Sequence, residues 1–324
     1  MAAAGGGATR GARMLAERIR AERKVLEGAA RETSRKNAPT IVYLRELKSQ
    51  VVREDPELVL VNKPHGLPVH GGPTVERSVA SLLPALAKHH FGWKAEPLKL
   101  CHRLDRDTTG ALILARTTEA AERVQQALRE REVHRVYWAL CLGTPSPREG
   151  ILDIPIMEKE TSGPQKHYKM ALSPRFRVSE EGAVERVRVP RSAHEAVTRY
   201  RTLGAASGAS LVELHPITGV KHQLRVHLAL GLNCPILGDH KYSHWGRLAP
   251  QKPPDSVLRA LGLTVPQART LSLHLHAVQL TLPSSDGSTP IVLQCPLPYT
   301  FRKTLRKLRI PPPDLESLQP PPTD

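Results

Sequence analysis

The chain reads as an α+β protein. Short apolar runs of strand length alternate irregularly with helical patterns, no internal repeat is visible, and 324 residues can bury a large core without disulfide or metal staples. Residues 1–36 open with an Ala/Gly stretch and continue as an Arg-rich helical pattern in which Met14, Ile19, Val25 and Leu26 are sparse among charges. Such a segment has no core of its own. Glu17, Glu22, Glu27 and Glu32 are more acids than a clean mitochondrial presequence carries, so a basic arm or solvated helix is the first reading and a targeting remnant the second. Residues 1–50 are therefore set apart as a basic N-terminal extension and 51–310 as the folded domain. Leu58 to Val61 predicts a buried strand, stopped by Asn62, Lys63, Pro64 and Gly66. Ala111 to Ala115 predicts a second, which hands over at Thr117 and Thr118 to a helix with Ala120, Val124, Ala127 and Leu128 on one face. From Arg135 to Leu142 the period is two, with Val136, Trp138 and Leu140 on one side and Tyr137, Ala139 and Cys141 on the other.

The second half is read in the same way. Gly143 to Gly150 is a Pro/Gly connection, and residues 158–195 form a charged stretch expected as a long loop or hairpin excursion. Leu211 to Leu214 is strand-like, Pro216 to Gly219 turns, and Val220 to Leu230 has helical spacing that stops before Gly231. Phe301, Leu305 and Leu308 share a helical face, which leaves Arg302, Lys303, Arg306, Lys307 and Arg309 pointing outward. The Pro-rich tail, 311–324, is expected to be disordered.

Charge narrows the partner. Lys and Arg outnumber Asp and Glu by 47 to 31, a net +16, and neutralising phosphates releases counterions, so a polyanion and above all nucleic acid is the favoured ligand. With three Phe, three Trp and six Tyr, binding leans on Arg and Lys rather than on a platform of stacked rings. No apolar run approaches the 18 or so residues of a membrane span. Cys101, Cys141, Cys234 and Cys295 lack CxxC pairing, which fits a reducing compartment. His222, His227, His274 and His276 invite a zinc site, but no carboxylate or Cys stands at companion spacing, so no metal is expected.

The densest cluster of ionisable groups is Cys101-His102-Arg103-Leu104-Asp105-Arg106-Asp107-Thr108-Thr109-Gly110. A carboxylate between Arg103 and Arg106 is expected to stay ionised and could serve as nucleophile, base or metal ligand. The plainer alternative, arginines pairing with Asp105 and Asp107 on a turn, is equally compatible with the charge pattern.

The string His102 to Gly110 resembles the HRLD-x-x-T-S/T-G signature of the RluA-type pseudouridine synthases. Asn62-Lys63-Pro64-His65-Gly66 is similar to that family's NKP-x-G motif, and Arg135-Val136-Tyr137-Trp138-Ala139 to its K/R-x-Y-x-A strand. Further likenesses follow in order at Thr218 to His227, Gly238 to Tyr242 and Leu275 to Ala277, so the resemblance runs from about residue 50 to about 300. Asp153 to Ile156 and Leu237 to Tyr242 most resemble the mitochondrial members.

The resemblance implies a mixed, largely antiparallel sheet with flanking helices and a central basic cleft, and an isomerase that needs neither cofactor nor metal. It converts uridine in structured RNA to pseudouridine by breaking the N1–C1′ bond, turning the base and rejoining it through C5. Asp105 would be the catalytic carboxylate, attacking C1′, adding to C6 or assisting a glycal. Arg225 would pair with it and keep it ionised, and Tyr137 would pack on the uracil and move a proton. Arg103 would fill the gap left by an extruded base. Lys63, Lys221 and the basic C-terminal stretch would touch phosphates, with His102 and His222 beside the substrate. Val220 stands where the family commonly has Arg, which removes one such contact. The implied partners are mitochondrial ribosomal or transfer RNA, with messenger precursors as a further class. The matrix is the expected location, the nucleus or cytoplasm the alternative. Two other readings compete: an RNA-binding or ribosome-assembly factor for which catalysis is dispensable, and an Asp-dependent hydrolase of a small anion.

Overall fold

The computed structural model describes residues 40–72, 77–161, 167–178, 184–244, 248–284, 289–315 and 318, so the readings placed on residues 1–36 fall outside the described residues. The helices are α1 (Thr40–Lys48), α2 (Val79–Phe91), α3 (Thr118–Arg129), α4 (Gln223–Val226), α5 (Asp255–Leu261), α6 (Val265–Ala268) and α7 (Tyr299–Leu308). A ten-stranded sheet forms the centre, running β1 (Val51–Glu54), β2 (Leu58–Lys63), β4 (Thr109–Ala115), β13 (Leu275–Leu282), β5 (His134–Leu142), β12 (Ala209–Pro216), β11 (Val197–Ala206) and β6 (Glu149–Asp153). Off that path β3 (Lys99–Leu100) pairs with β4 and β14 (Ile291–Gln294) with β13. The β4–β13 pair is parallel and the other described pairs in this sheet are antiparallel. The α+β class and the mixed, largely antiparallel sheet hold.

Strand β5 explains why the sheet is covered on both faces. Its period of two sends Val136, Trp138, Leu140 and Leu142 into a cluster with Phe301, Leu305 and Leu308 of α7, and Ala139 and Cys141 into another with Leu214, Leu224 and Leu228. A third cluster lies around β2 and β4, where Leu82 and Leu86 of α2 and Ala120 and Val124 of α3 pack on Val59, Leu112 and Leu114. Each Leu, Val or Phe side chain of these clusters fully removed from water contributes about 1.5–3 kcal/mol. Thr117 starts α3 by accepting the Ala120 amide at 3.1 Å.

Three expectations are corrected. The folded unit begins before residue 51, because Leu44 and Leu47 of α1 are buried in the cluster around β2. The tail is not loose throughout: Leu315 and Leu318 pack on the α7 cluster, and Gln294 Nε2 donates to the Leu315 carbonyl at 2.8 Å. The helix expected over Val220 to Leu230 starts only at Gln223 and widens into a π-helix at His227–Gly231. Gln223 causes the late start, because its Oε1 accepts the Val220 amide at 3.0 Å and the Thr218 hydroxyl at 2.8 Å.

The excursion over 158–195 is hairpin-like, as expected. Strands β7 (Ile156–Glu160) and β8 (Tyr168–Leu172) pair with each other, as do β9 (Phe176–Val178) and β10 (Val184–Arg186), in two small sheets separate from the large one.

Candidate active site

The loop 101–108 between β3 and β4 carries the acidic cluster to the place where the sheet's central strands meet. Gly110 makes this possible. At φ +109° it lies where a Cβ would sit 2.2 Å from the Ala277 carbonyl oxygen, so only glycine lets β4 lie against β13 here. Asp105 enters a cavity of about 200 Å³ whose walls include Arg103, Tyr137, Thr218, Lys221, His222 and Arg225. Its side chain keeps 19% exposure. Tyr137 arrives from β5, whose neighbours β12 and β13 hold it on both sides, Leu214 and Ala277 standing opposite.

Arg225 and Asp239 form the rigid floor. Arg225 Nε and Nη2 donate to Asp239 Oδ2 and Oδ1, both at 2.8 Å, in a planar bidentate pair that is almost wholly buried. Asp239 Oδ1 also accepts the Lys241 and Tyr242 amides at 3.1 Å each. The remaining Arg225 nitrogen, Nη1, faces Asp105 Oδ2 at 3.7 Å. Arg225, expected to pair with Asp105, has Asp239 as its firm partner, a residue to which the sequence assigns no role, and its contact with Asp105 is the looser one. The signal was available, since Asp239 sits in the Gly238 to Tyr242 motif.

The direction expected for the Asp105 pKa is corrected, although its ionisation is not. Burial pushes its pKa up, Arg225 and Arg103 pull against that, and the net displacement is upward. Arg106 does not help, because its Nε and Nη2 donate to Asp107 Oδ1 and Oδ2 at 3.0 and 3.3 Å. Burial likewise raises the Tyr137 phenol, with Arg135 opposing, so Tyr137 enters any reaction protonated.

Two residues assigned to the substrate have other work. Lys63 is 0% exposed, and its Nζ donates to the carbonyls of Pro64, Leu67 and Arg106 at 2.9, 2.8 and 2.9 Å, which leaves no route to a phosphate. It ties the 64–67 turn to the loop that carries Asp105. His102 accepts the Ile113 amide at Nε2, 2.9 Å away, and burial lowers its pKa to about 4. That ring braces the loop against β4 while reaching the wall of a second cavity of about 680 Å³. Arg103, Lys221 and His222 do line the Asp105 cavity, Lys221 in a surface pair with Glu158 at 3.1 Å. Three of the four histidines weighed as zinc ligands are spent on structure. His227 meets Thr198 and Ile154, His274 meets Ser272 and Thr304, and His276 meets Thr109 and Cys295. Among the described residues no cluster of three or more His, Cys, Asp or Glu is placed to hold a metal ion.

Residues 57–230 match the model of the RNA pseudouridylate synthase family. The chain belongs to that family. It is 52% identical over 268 residues to the mitochondrial pseudouridylate synthase RPUSD4 of Mus musculus, covering 82% of this chain and 71% of that one. The Homo sapiens protein of the same name is 50% identical over 270 residues, covering 83% and 71%. Among solved structures, human RNA Pseudouridylate Synthase Domain Containing 4 superposes with a TM-score of 0.76 at 47% identity, covering 84% of this chain and 98% of that one. The synthase therefore isomerises uridine in RNA to pseudouridine. Its cavity brings together the Asp105 carboxyl group, the Tyr137 phenol and the fixed positive charge of Arg225.

Proposed function

We propose that Asp105 is the carboxylate that drives the isomerisation, acting at the sugar or base of a uridine swung out of its helix. One observation carries this reading: Asp105, Tyr137 and Arg225 converge on a single cavity from three elements far apart in the chain. The cleavage step gives the sugar glycosyl-cation character, which a buried carboxylate offsets by charge or by a covalent bond. Tyr137 offers a ring to the detached uracil and a hydroxyl for proton transfer. Arg225, immobilised by Asp239, supplies positive charge to Asp105 without being able to swing away. Arg103 is exposed on the rim, and its planar guanidinium stacks in the gap left by the extruded base. Lys221 contacts the bound nucleotide, with His222 beside it against Asp105, and the basic outer face of α7 meets phosphates farther along the RNA.

The substrate in this reading is mitochondrial ribosomal or transfer RNA, with messenger precursors as a further class, and the enzyme works in the matrix. The relatives named mitochondrial support the organelle, and the net +16 charge supports RNA as the partner. Replacing Asp105 by Asn should abolish tritium release from target RNA labelled at uridine C5, by about a thousandfold or more. Release at the wild-type rate would remove Asp105 from the mechanism. Mapping pseudouridine at single-nucleotide resolution in mitochondrial RNA, with and without the protein, identifies the target; sites lost only from non-mitochondrial RNA would overturn the assignment.

A further inference from the structure

An imidazole faces the far side of the Asp105 carboxyl group. His222 occupies a left-handed backbone position, φ 56° and ψ 18°, which residues with a Cβ seldom adopt. Gln223 fastens the turn. Its Oε1 takes the Val220 amide and Thr218 hydroxyl, while its Nε2 donates to the Val197 carbonyl and Thr198 hydroxyl, both at 2.9 Å. The fixed turn aims both ring nitrogens. Nδ1 is 2.6 Å from Tyr242 Oη, and Nε2 is 3.8 Å from Asp105 Oδ2.

The direction of the hydrogen bond follows from counting protons. The Tyr242 hydroxyl accepts the Met170 amide at 3.3 Å, and burial holds the phenol protonated, so its single hydrogen is left for His222 Nδ1. Burial and the surrounding cations, Arg225, Lys241, Lys221 and Arg103, push the His222 pKa down to about 2. A neutral imidazole carries one N–H. With Nδ1 accepting, that hydrogen is on Nε2 and points at Asp105. Oδ2 of Asp105 thus has two donors facing it, Arg225 Nη1 at 3.7 Å and His222 Nε2 at 3.8 Å. Both separations are longer than hydrogen bonds, and a shift of less than about 1 Å would close either of them into one.

We propose that His222 is a positioning residue whose tautomer is fixed by Tyr242, and that its Nε2–H joins Arg225 in holding Oδ2, so that Oδ1 of Asp105 is presented to the nucleoside. The inference rests on reading Asp105 as the reacting carboxylate. It also links the hairpin excursion to the chemistry, since Met170 belongs to β8.

The test has two arms. In the wild-type enzyme, ¹⁵N NMR of labelled histidine should show His222 with Nε2 protonated and Nδ1 bare at pH 7; a proton on Nδ1 would overturn the proposal whether or not any variant folds. In single-turnover assays with C5-tritiated RNA, His222→Leu should slow release at least tenfold while RNA affinity stays within twofold. Loss of a donor to the ionised form raises the carboxyl pKa, so the acid limb of its rate profile should move to higher pH. His222→Gln, which keeps an N–H at the position of Nε2, should restore most of the rate. Tyr242→Phe should slow the reaction and leave a mixture of tautomers. An unmoved limb with an unchanged rate in His222→Leu defeats this inference alone if Asp105→Asn is dead in the same assay. If Asp105→Asn is active, the reading beneath it falls as well.

Discussion

Asp105 works against the stability of the fold that holds it. Its pKa is raised above the ordinary value of 3.8, burial being the larger cause and Arg225 and Arg103 opposing it. The folded state therefore binds this proton more readily than the unfolded state. The ionised group costs folding free energy that grows as pH rises from the unfolded pKa to the folded one, then stays constant. Activity has the opposite dependence if the working form is the carboxylate. The acid limb of the single-turnover rate should thus lie above pH 3.8, and Asp105→Asn should melt at or above the wild-type temperature at pH 7, the gain vanishing below pH 3.8. Calorimetry across that range checks the sign, and a destabilised Asn variant at neutral pH would contradict it. Lys63 is the contrasting case. Lys63→Met would leave the carbonyls of Pro64, Leu67 and Arg106 without their ammonium and should cost about 3 kcal/mol of stability. Denaturant titration measures that loss, and the salt dependence of RNA binding should stay unchanged. A lysine after Asn62 looks the same in sequence whether it meets phosphate or carbonyl oxygen. That Asp105, Tyr137 and Arg225 meet in one cavity was legible from the family-like motifs that carry them; the place of Lys63 depends on a turn that closes over it, and the Arg225–Asp239 pair on two segments joined by folding.

Among elements, the strands were the more readable part. The alternation of β5 named its two faces correctly because each face meets a different apolar layer, and the β2 and β4 runs are apolar throughout because both of their sides are covered. The segment from Val220 to Gly231 resisted reading, since its helical spacing is real but Gln223 diverts the hydrogen bonds of the first turn into its side chain. Helix α1 was missed because two buried leucines, Leu44 and Leu47, make a weak pattern next to a charged segment. Gly110 is where element geometry bears most on the site. A methyl group there would meet Ala277 O at 2.2 Å and Ala277 N at 2.6 Å, backbone atoms that cannot rotate away, at a φ of +109° already unfavourable to L-residues. Gly110→Ala should force β4 off β13, costing more than about 4 kcal/mol and carrying the Asp105 loop with it. Expression, melting temperature and tritium release should fall together; a soluble, fully active Ala variant would show that the parallel contact is dispensable.

For the molecule as a whole, the proposed path of RNA rests on charge and shape. The Asp105 cavity is about 200 Å³, and the adjoining cavity of about 680 Å³ shares Arg103, Arg135, Tyr137 and the Thr218 to Val220 wall with it and adds Arg129 and Arg131. Arg135 is partly committed, since its Nη2 donates to the Pro216, Ile217 and Thr218 carbonyls at 3.0, 3.3 and 3.2 Å. Arg129 and Arg131 are exposed at the end of α3 and just beyond it, with long side chains on the rim of the larger cavity. A flanking strand that leaves the site along this cavity would set its phosphates against them, and each contact would release counterions. Affinity for target RNA should then fall linearly with salt on a log–log plot, and replacing Arg129 or Arg131 by Gln should lower the slope by about one unit each, near additively because neither supports the core. The measurement is a filter-binding or fluorescence titration between about 50 and 200 mM salt, with melting temperature as the control for folding. A double Arg129→Gln, Arg131→Gln variant with the wild-type slope would place the RNA elsewhere, and the basic outer face of α7 would become the next surface to neutralise.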